Sequence, residues 1–262
     1  MTVAEALRAS GIDAREARLL LAAATGFSEA SVVAHPEREL DSQIQSSFSA
    51  MAARRAAGEP VAYILGRKEF YGIELAVNPA VLIPRPETEL LVELALQRDF
   101  SSVADLGTGS GAIAVALKRN RPSSRVVAVE ASMAAMVIAE RNAARYNLDV
   151  EFRHGRWFEP LAGERFDLIV SNPPYIAVGD PHLKDLSYEP ASALLAGSDG
   201  LDAIREIARD AAAHLAPGGW LLVEHGAGQD TAVRELFRAA GLEEVTTWPD
   251  LAGIPRVSGA KR

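Results

Sequence analysis

From about residue 100 onward, short apolar runs alternate with stretches of helical spacing, and glycine, proline or an acidic residue marks most junctions. Residues 103–106, 125–130, 150–153, 166–170 and 220–224 read as strands, rich in branched and aliphatic side chains and bounded by breakers. Between them, 112–117, 132–146, 199–215 and 229–240 repeat their apolar positions at three- and four-residue intervals, which predicts helices. Strands alternating with helices imply a parallel sheet, and 243–257 predicts a closing strand pair. Upstream, 1–60 carries only helical signals. Thr2 to Glu5 and Asp13 to Glu16 have the spacing of capping boxes, Ser28 and Asp41 are further caps, and Gly26 is a stop. Arg54 and Arg55 fall near the end of the last of these helices, on an expected solvated face. Gly58-Glu59-Pro60 interrupts the pattern, and the aromatic and branched residues around Gly72 predict a β-hairpin. The expected organisation is a helical bundle over 1–60, a hairpin linker over 61–80 and an α/β domain over 81–262.

Composition narrows the class. The hydrophobic fraction of 48% in 262 residues supports a sizeable core. No apolar run approaches the roughly 18 residues needed to span a bilayer. The first residues lack the basic-then-apolar layout of a secretory signal. With no cysteine, disulfides and thiolate metal sites are excluded, which suits a cytoplasmic location. The five histidines show no ligand spacing, so no metal is expected. A net charge of −8 weighs against a protein that tracks phosphate backbones.

Residues 166–175, Phe-Asp-Leu-Ile-Val-Ser-Asn-Pro-Pro-Tyr, end one strand abruptly. Neither Pro173 nor Pro174 can donate a backbone N–H and each fixes its own φ, so Asn172 is pushed out of the helical region. The result is a stiff turn at the carboxyl end of a parallel strand, where open α/β sheets place their ligands. A planar NH2 group can donate its two hydrogens to the Asn172 side-chain oxygen and the Pro173 carbonyl while the Tyr175 ring packs on its π face. Such a nitrogen is a poor nucleophile because its lone pair is delocalised. Two fixed acceptors polarise it and leave the lone pair facing an electrophile. This is catalysis by positioning and oriented dipoles, with no titrating base. The plain alternative is an Asn-Pro turn without chemistry.

Gly107, Gly109 and Ala112, after a strand and before a helix, also satisfy the dinucleotide fingerprint in its Gly/Ala variant, so a nicotinamide cofactor stays open on this motif alone. Two carboxylates shift the balance. Asp105 lies just before the first glycine, an awkward neighbour for a pyrophosphate but a good acceptor near an amino-acid ammonium. Glu130 ends the next strand, where a carboxylate can bind both ribose hydroxyls or simply face solvent. An adenosine that carries an amino acid, S-adenosylmethionine, suits both carboxylates better than NAD. Trp157 follows the third strand, placed either to stack an adenine or to fill the core. Arg85, held between Pro84 and Pro86, either faces a ligand or pairs with a nearby glutamate.

With both motifs in place the chain resembles the release-factor glutamine methyltransferases, the PrmC/HemK family, over nearly its whole length. The resemblance is carried by Gly58-Glu59-Pro60, 66–70, Pro84-Arg85-Pro86-Glu87-Thr88-Glu89, 105–111 and Asn172-Pro173-Pro174-Tyr175. It continues through 180–183, Glu189-Pro190, Gly200-Leu201, Glu224-His225-Gly226 and Arg256-Val257. It implies a Rossmann-like class I methyltransferase sheet and an enzyme that methylates the glutamine of the Gly-Gly-Gln loop of class 1 release factors. It further implies that S-adenosylmethionine contacts Asp105, Gly107, Thr108, Gly109, Ser110, Gly111, Glu130, Trp157 and Asn172. Asn172, Pro173, Pro174 and Tyr175, with Arg85, would then hold the substrate, and the N-terminal helices would grip the release factor. Two departures from the family pattern stand out: 184–188 is short, and Arg156 replaces an acidic or small residue. The rival readings are a methyltransferase of adenine N6 or guanine N2, whose exocyclic amine needs the same clamp, an NAD-dependent dehydrogenase, and a non-catalytic module that retains the pocket.

Overall fold

The computed structural model describes all residues, Met1–Arg262. Contacts divide them into two compact units, Met1–Arg67 and Lys68–Arg262.

The first unit holds five helices, α1 (Val3–Ala9), α2 (Ala14–Thr25), α3 (Glu29–Ala34), α4 (Ser42–Ala56) and α5 (Val61–Leu65). Each of the first four starts where a side-chain oxygen satisfies backbone N–H groups left free at a helix end. Thr2 and Glu5 close a capping box, Asp13 accepts from Arg15 and Glu16, and Ser28 and Asp41 cap α3 and α4. Glu16 does not complete a second box, because its carboxylate pairs with Arg55 at 2.7 Å. Leu20, Leu21, Val32, Phe48 and Ile64 close the core of this unit. The hairpin expected across 61–80 starts later than the aromatic pattern implied. Pro60 pre-sets φ without needing a donor and opens α5, so Val61–Leu65 is helical. The strands β1 (Arg67–Phe70) and β2 (Ile73–Ala76) follow.

The second unit continues with α6 (Glu89–Leu96), preceded by one 3-10 turn at Pro86–Thr88. Then come β3 (Ser102–Leu106), α7 (Ala112–Asn120), β4 (Arg125–Glu130), α8 (Met133–Arg145), β5 (Glu151–His154) and β6 (Phe166–Ser171). The chain closes with α9 (Asp202–His214), β7 (Leu215–Glu224), α10 (Asp230–Ala239), β8 (Glu243–Pro249) and β9 (Pro255–Lys261). Seven strands form one sheet in the order β5-β4-β3-β6-β7-β9-β8, parallel except for β9, which is antiparallel to both neighbours. One face packs Val103, Leu168, Val170 and Leu222 under α6 and α7, and the other packs Ala104, Leu106, Ile169 and Val223 under α9 and α10. This two-residue alternation decides which polar residues end up beneath which helices.

The chain builds outward from β3 to β5 on one side, then returns to place β6 on the other. Between β3 and β6 the strand order reverses, which opens a crevice at their carboxyl ends. Leu106 is the register partner of Ser171, and the Ser171 hydroxyl donates to the Leu106 carbonyl at 2.7 Å. Gly107 and Asn172 therefore leave the sheet side by side.

Candidate active site

Four strand ends meet at this crevice, since Leu106 pairs with Val129 and Ser171, and Glu130 pairs with His154. The loops beyond them enclose a cavity of about 480 Å³, within the range of small-molecule sites. It is lined by Gly107, Thr108, Gly109, Ser110, Glu130, Trp157, Asn172, Pro174 and Arg85 among others, so most of the expected site residues are gathered here. Asp105, Gly111, Pro173 and Tyr175 stand behind the lining.

The glycine loop is not built to hold phosphate. The N–H groups of Gly107 and Thr108 both donate to the Val129 carbonyl, at 2.9 and 3.0 Å, and that of Gly111 donates to Thr108 at 2.8 Å. Gly109 donates to Glu130 Oε2 at 2.8 Å. Donors committed inside the loop leave no cradle of the kind that binds a pyrophosphate. Gly107 has φ 72 and lies so close to Trp157 that a Cβ would stand 3.0 Å from the indole. Gly111 has φ 81, and a Cβ there would press on Ala139 of α8 at 3.1 Å, so its glycine serves helix packing rather than the cavity wall.

Asp105 shares the face of Val103, beneath α7, and has no solvent exposure. Its Oδ2 accepts from the Thr108 hydroxyl at 2.6 Å and from the N–H of Ala114 at 3.2 Å, while Oδ1 has no partner. Burial, opposed by those two hydrogen bonds, pushes its carboxyl up to about 7. Glu130 accepts from Gly109 with one oxygen and from Ser132 with the other at 2.9 Å, so the loop orients it and each oxygen keeps a free lone pair.

On the opposite wall, Asn172 Nδ2 donates to the Thr88 hydroxyl at 3.0 Å, and Asn172 Oδ1 is buried without a partner. A buried acceptor left unpaired costs about 1–3 kcal/mol, a cost that a ligand donor would remove. Tyr175 lies behind this corner because three contacts fix it there. Its hydroxyl donates to Glu224 at 3.4 Å, its carbonyl accepts from Gln229 Nε2 at 3.0 Å, and its ring lies against Gly226. Burial, and then the neighbouring Glu224 charge, push the phenol up. Arg85 does pair with a glutamate, but with Glu189, far along the chain, and not with Glu87 or Glu89. The second Glu189 oxygen accepts from the N–H of Ile83 at 3.0 Å, which pins the arginine at the rim. Arg156, also on the rim, forms a two-point pair with Glu206 at 2.7 and 2.9 Å and covers the Trp157 ring.

The sequence reading missed Thr88, Gln229 and Glu224 as parts of the site. Glu224 had a visible signal: it is in phase with Leu222 on an apolar strand, so alternation buries it. His225 is fully buried between the Gly226 carbonyl and the Ser258 hydroxyl, away from any reacting position.

Residues 2–66 match the PrmC N-terminal domain and residues 86–186 the methyltransferase small domain. The chain is 52% identical to a release factor glutamine methyltransferase of Xylella fastidiosa, over 94% of this chain and 92% of that protein. It is 49% identical to the enzyme of that name from Burkholderia pseudomallei, over 99% and 96%. For the one from Neisseria gonorrhoeae the identity is 47%, over 100% and 98%. Among solved structures, a methyltransferase from Pyrococcus furiosus matches with a TM-score of 0.57 at 19% identity, over 81% of this chain and 98% of that one. A T. thermophilus 16S rRNA N2 G1207 methyltransferase in complex with AdoMet and guanosine matches at 0.55 and 24%, over 75% and 49%. Those two likenesses carry the fold, the class I methyltransferase sheet expected from the sequence. The sequence relatives, matched end to end, carry more: the chain belongs to the release factor glutamine methyltransferase family.

Proposed function

We propose that this chain transfers the methyl group of S-adenosylmethionine to the side-chain amide nitrogen of the glutamine in the Gly-Gly-Gln loop of class 1 release factors. The observation that carries the reading is Asn172 Oδ1, an unpartnered buried acceptor in a residue that lines the same cavity as the glycine loop. The residues present fit the cofactor. Glu130 offers free lone pairs to a ribose, Asp105 Oδ1 is an unanswered acceptor beneath the loop, and Trp157 forms a flat wall beside Gly107. When bound, S-adenosylmethionine supplies an electrophilic methyl on a positively charged sulfur.

The protein's own part is orientation. Asn172 Oδ1 and the Pro173 carbonyl accept the two hydrogens of the glutamine amide, polarise its nitrogen and hold its lone pair toward the methyl donor. The same dipoles stabilise positive charge as it grows on that nitrogen. The alkylated amide is strongly acidic and releases its proton without a dedicated base. Arg85 and Pro174 form the rim on the substrate side, and the helical unit Met1–Arg67 contributes grip on the release factor. In this reading the partner is a protein rather than nucleic acid or membrane, consistent with a net charge of −8. No helix is long and apolar enough to cross a membrane, and the absence of cysteine fits a cytoplasmic setting.

The test is incubation with methyl-labelled S-adenosylmethionine, offering release factor, tRNA, rRNA and DNA in parallel. Label on the release factor, lost when its Gly-Gly-Gln glutamine is replaced, is the expected result. Label confined to nucleic acid would transfer the reading to the exocyclic-amine alternative.

A further inference from the structure

The amide of Asn172 has two nearly isosteric orientations, and only the one with oxygen toward the cavity accepts a substrate NH2. Thr88 is the residue that chooses, because Asn172 Nδ2 donates to its hydroxyl at 3.0 Å. A hydroxyl both gives and takes hydrogen bonds, so Thr88 selects the orientation only if its own proton is engaged elsewhere. Glu224 provides that engagement. Alternation along β6 and β7 puts Asn172 and Glu224 on the sheet face that also carries Val170 and Leu222. The register partner of Ser171 is Val223, so Glu224 leaves its strand beside Asn172. Thr88, 4% exposed, stands over this pair at the start of α6, and its hydroxyl interacts with the Glu224 carboxylate. The Tyr175 hydroxyl approaches Glu224 Oε1, and Oε2 has no other partner.

We propose that Glu224 and Thr88 are positioning residues for methyl transfer, a hydrogen-bond chain that locks the Asn172 amide with its oxygen facing the acceptor nitrogen. An ionised Glu224 only accepts. It takes the Thr88 proton, the Thr88 oxygen is left to accept from Asn172 Nδ2, and Oδ1 faces forward. A protonated Glu224 must itself donate, and the Thr88 proton is freed to turn toward Asn172, which favours the flipped amide. Burial pushes the Glu224 carboxyl up to about 7, with Thr88, Tyr175 and Arg256 pulling it down and Glu87 pushing it up. Arg85 adds positive charge on the Tyr175 side. The orientation is therefore sensitive to pH near neutrality.

This inference rests on the amide-clamp reading above, and its test separates the two. Thr88→Val removes the hydroxyl at constant shape, Thr88→Ser keeps it, and Glu224→Gln removes the titration. With wild type active on release factor, the expected outcome for Thr88→Val is a fall in kcat of about 10²-fold, the usual consequence of losing one preorganised dipole. S-adenosylmethionine Kd, which also reports folding, should change less than about threefold, and Thr88→Ser should recover most of kcat. The wild-type acid limb of kcat near neutral pH should vanish in Glu224→Gln. A second readout needs no acceptor substrate: the side-chain NH2 resonances of Asn172 in 15N-labelled protein. These should titrate near neutrality in wild type and shift in Thr88→Val. Resonances indifferent to pH and to Thr88→Val would overturn the chain whatever the enzyme methylates, as would wild-type kcat in Thr88→Val.

Discussion

Glu130 shows how one side chain both shapes the site and serves it. Its two oxygens hold the Gly109 and Ser132 N–H groups, and what they still offer points into the cavity. Replacing it with alanine should weaken S-adenosylmethionine binding by about 1.5–3 kcal/mol, the worth of a charged hydrogen bond, measured by calorimetry. Unchanged affinity would remove it from the cofactor side. Asn172→Ala should behave in the opposite way. Cofactor affinity should persist, while kcat falls by about 10²–10³-fold because only a contact made to the reacting nitrogen is lost. Both residues were legible in the sequence, since each ends a strand beside a local signal, glycine loop or double proline. Thr88 and Gln229 were not, because their partners are remote: Asn172 lies 84 residues from Thr88, and Tyr175 lies 54 from Gln229. No local pattern encodes such pairs.

At the scale of elements, the β1–β2 hairpin, α8 and the glycine loop are joined by a single buried amide. Asn142, with no exposure, accepts from the Ala76 N–H at 2.7 Å and donates to the Ala76 and Ser110 carbonyls at 3.0 and 2.8 Å. The donor and acceptor count of asparagine matches these backbone groups, and no apolar residue can. Asn142→Leu should cost at least about 3 kcal/mol, since the backbone groups it orphans cost about 1–3 kcal/mol each. Urea denaturation measures this, and a loss under about 1 kcal/mol would show that the three elements are held by apolar packing alone. The sequence marked the hairpin and α8 separately but not their junction. It also extended the hairpin back to Tyr63, because a five-residue apolar run has no length with which to reveal helical period. Pro60 was the better guide there.

For the whole molecule, two buried carboxyls set an unusual dependence on pH. Asp105 and Glu224 are both pushed up to about 7 by burial. Between their ordinary values of 3.8 and 4.5 and that point, the folded state holds more protons than the unfolded one. Stability therefore falls as pH rises through this window and levels above it, by up to about 1.4 kcal/mol per unit for each group. The paired Glu151 and Glu164, held low by Arg125 and Arg153, act in the other direction at more acid pH. Denaturation midpoints measured from about pH 8 down to about pH 6 should rise, and Asp105→Asn should flatten the rise. A midpoint that drops over this range, or a slope untouched by Asp105→Asn, would count against the assignment. At this scale the sequence was most readable. The alternation of strands and helices foretold the sheet, because parallel strands buried on both faces leave an almost unbroken apolar record. What it concealed was the neighbour of each strand. The order β5-β4-β3-β6-β7-β9-β8 decides which loop ends meet, and nothing within a single strand records it.

The pairing of Leu106 with Ser171 has one more consequence. Donor and acceptor sit on adjoining rungs of one ladder, with no hinge between them, so the gap a carbon must cross is fixed by inter-strand spacing. Such a gauge suits a single carbon. Cofactor analogues carrying ethyl or propargyl groups should bind yet transfer poorly, and widening the gap calls for trimming the loops rather than bending the sheet.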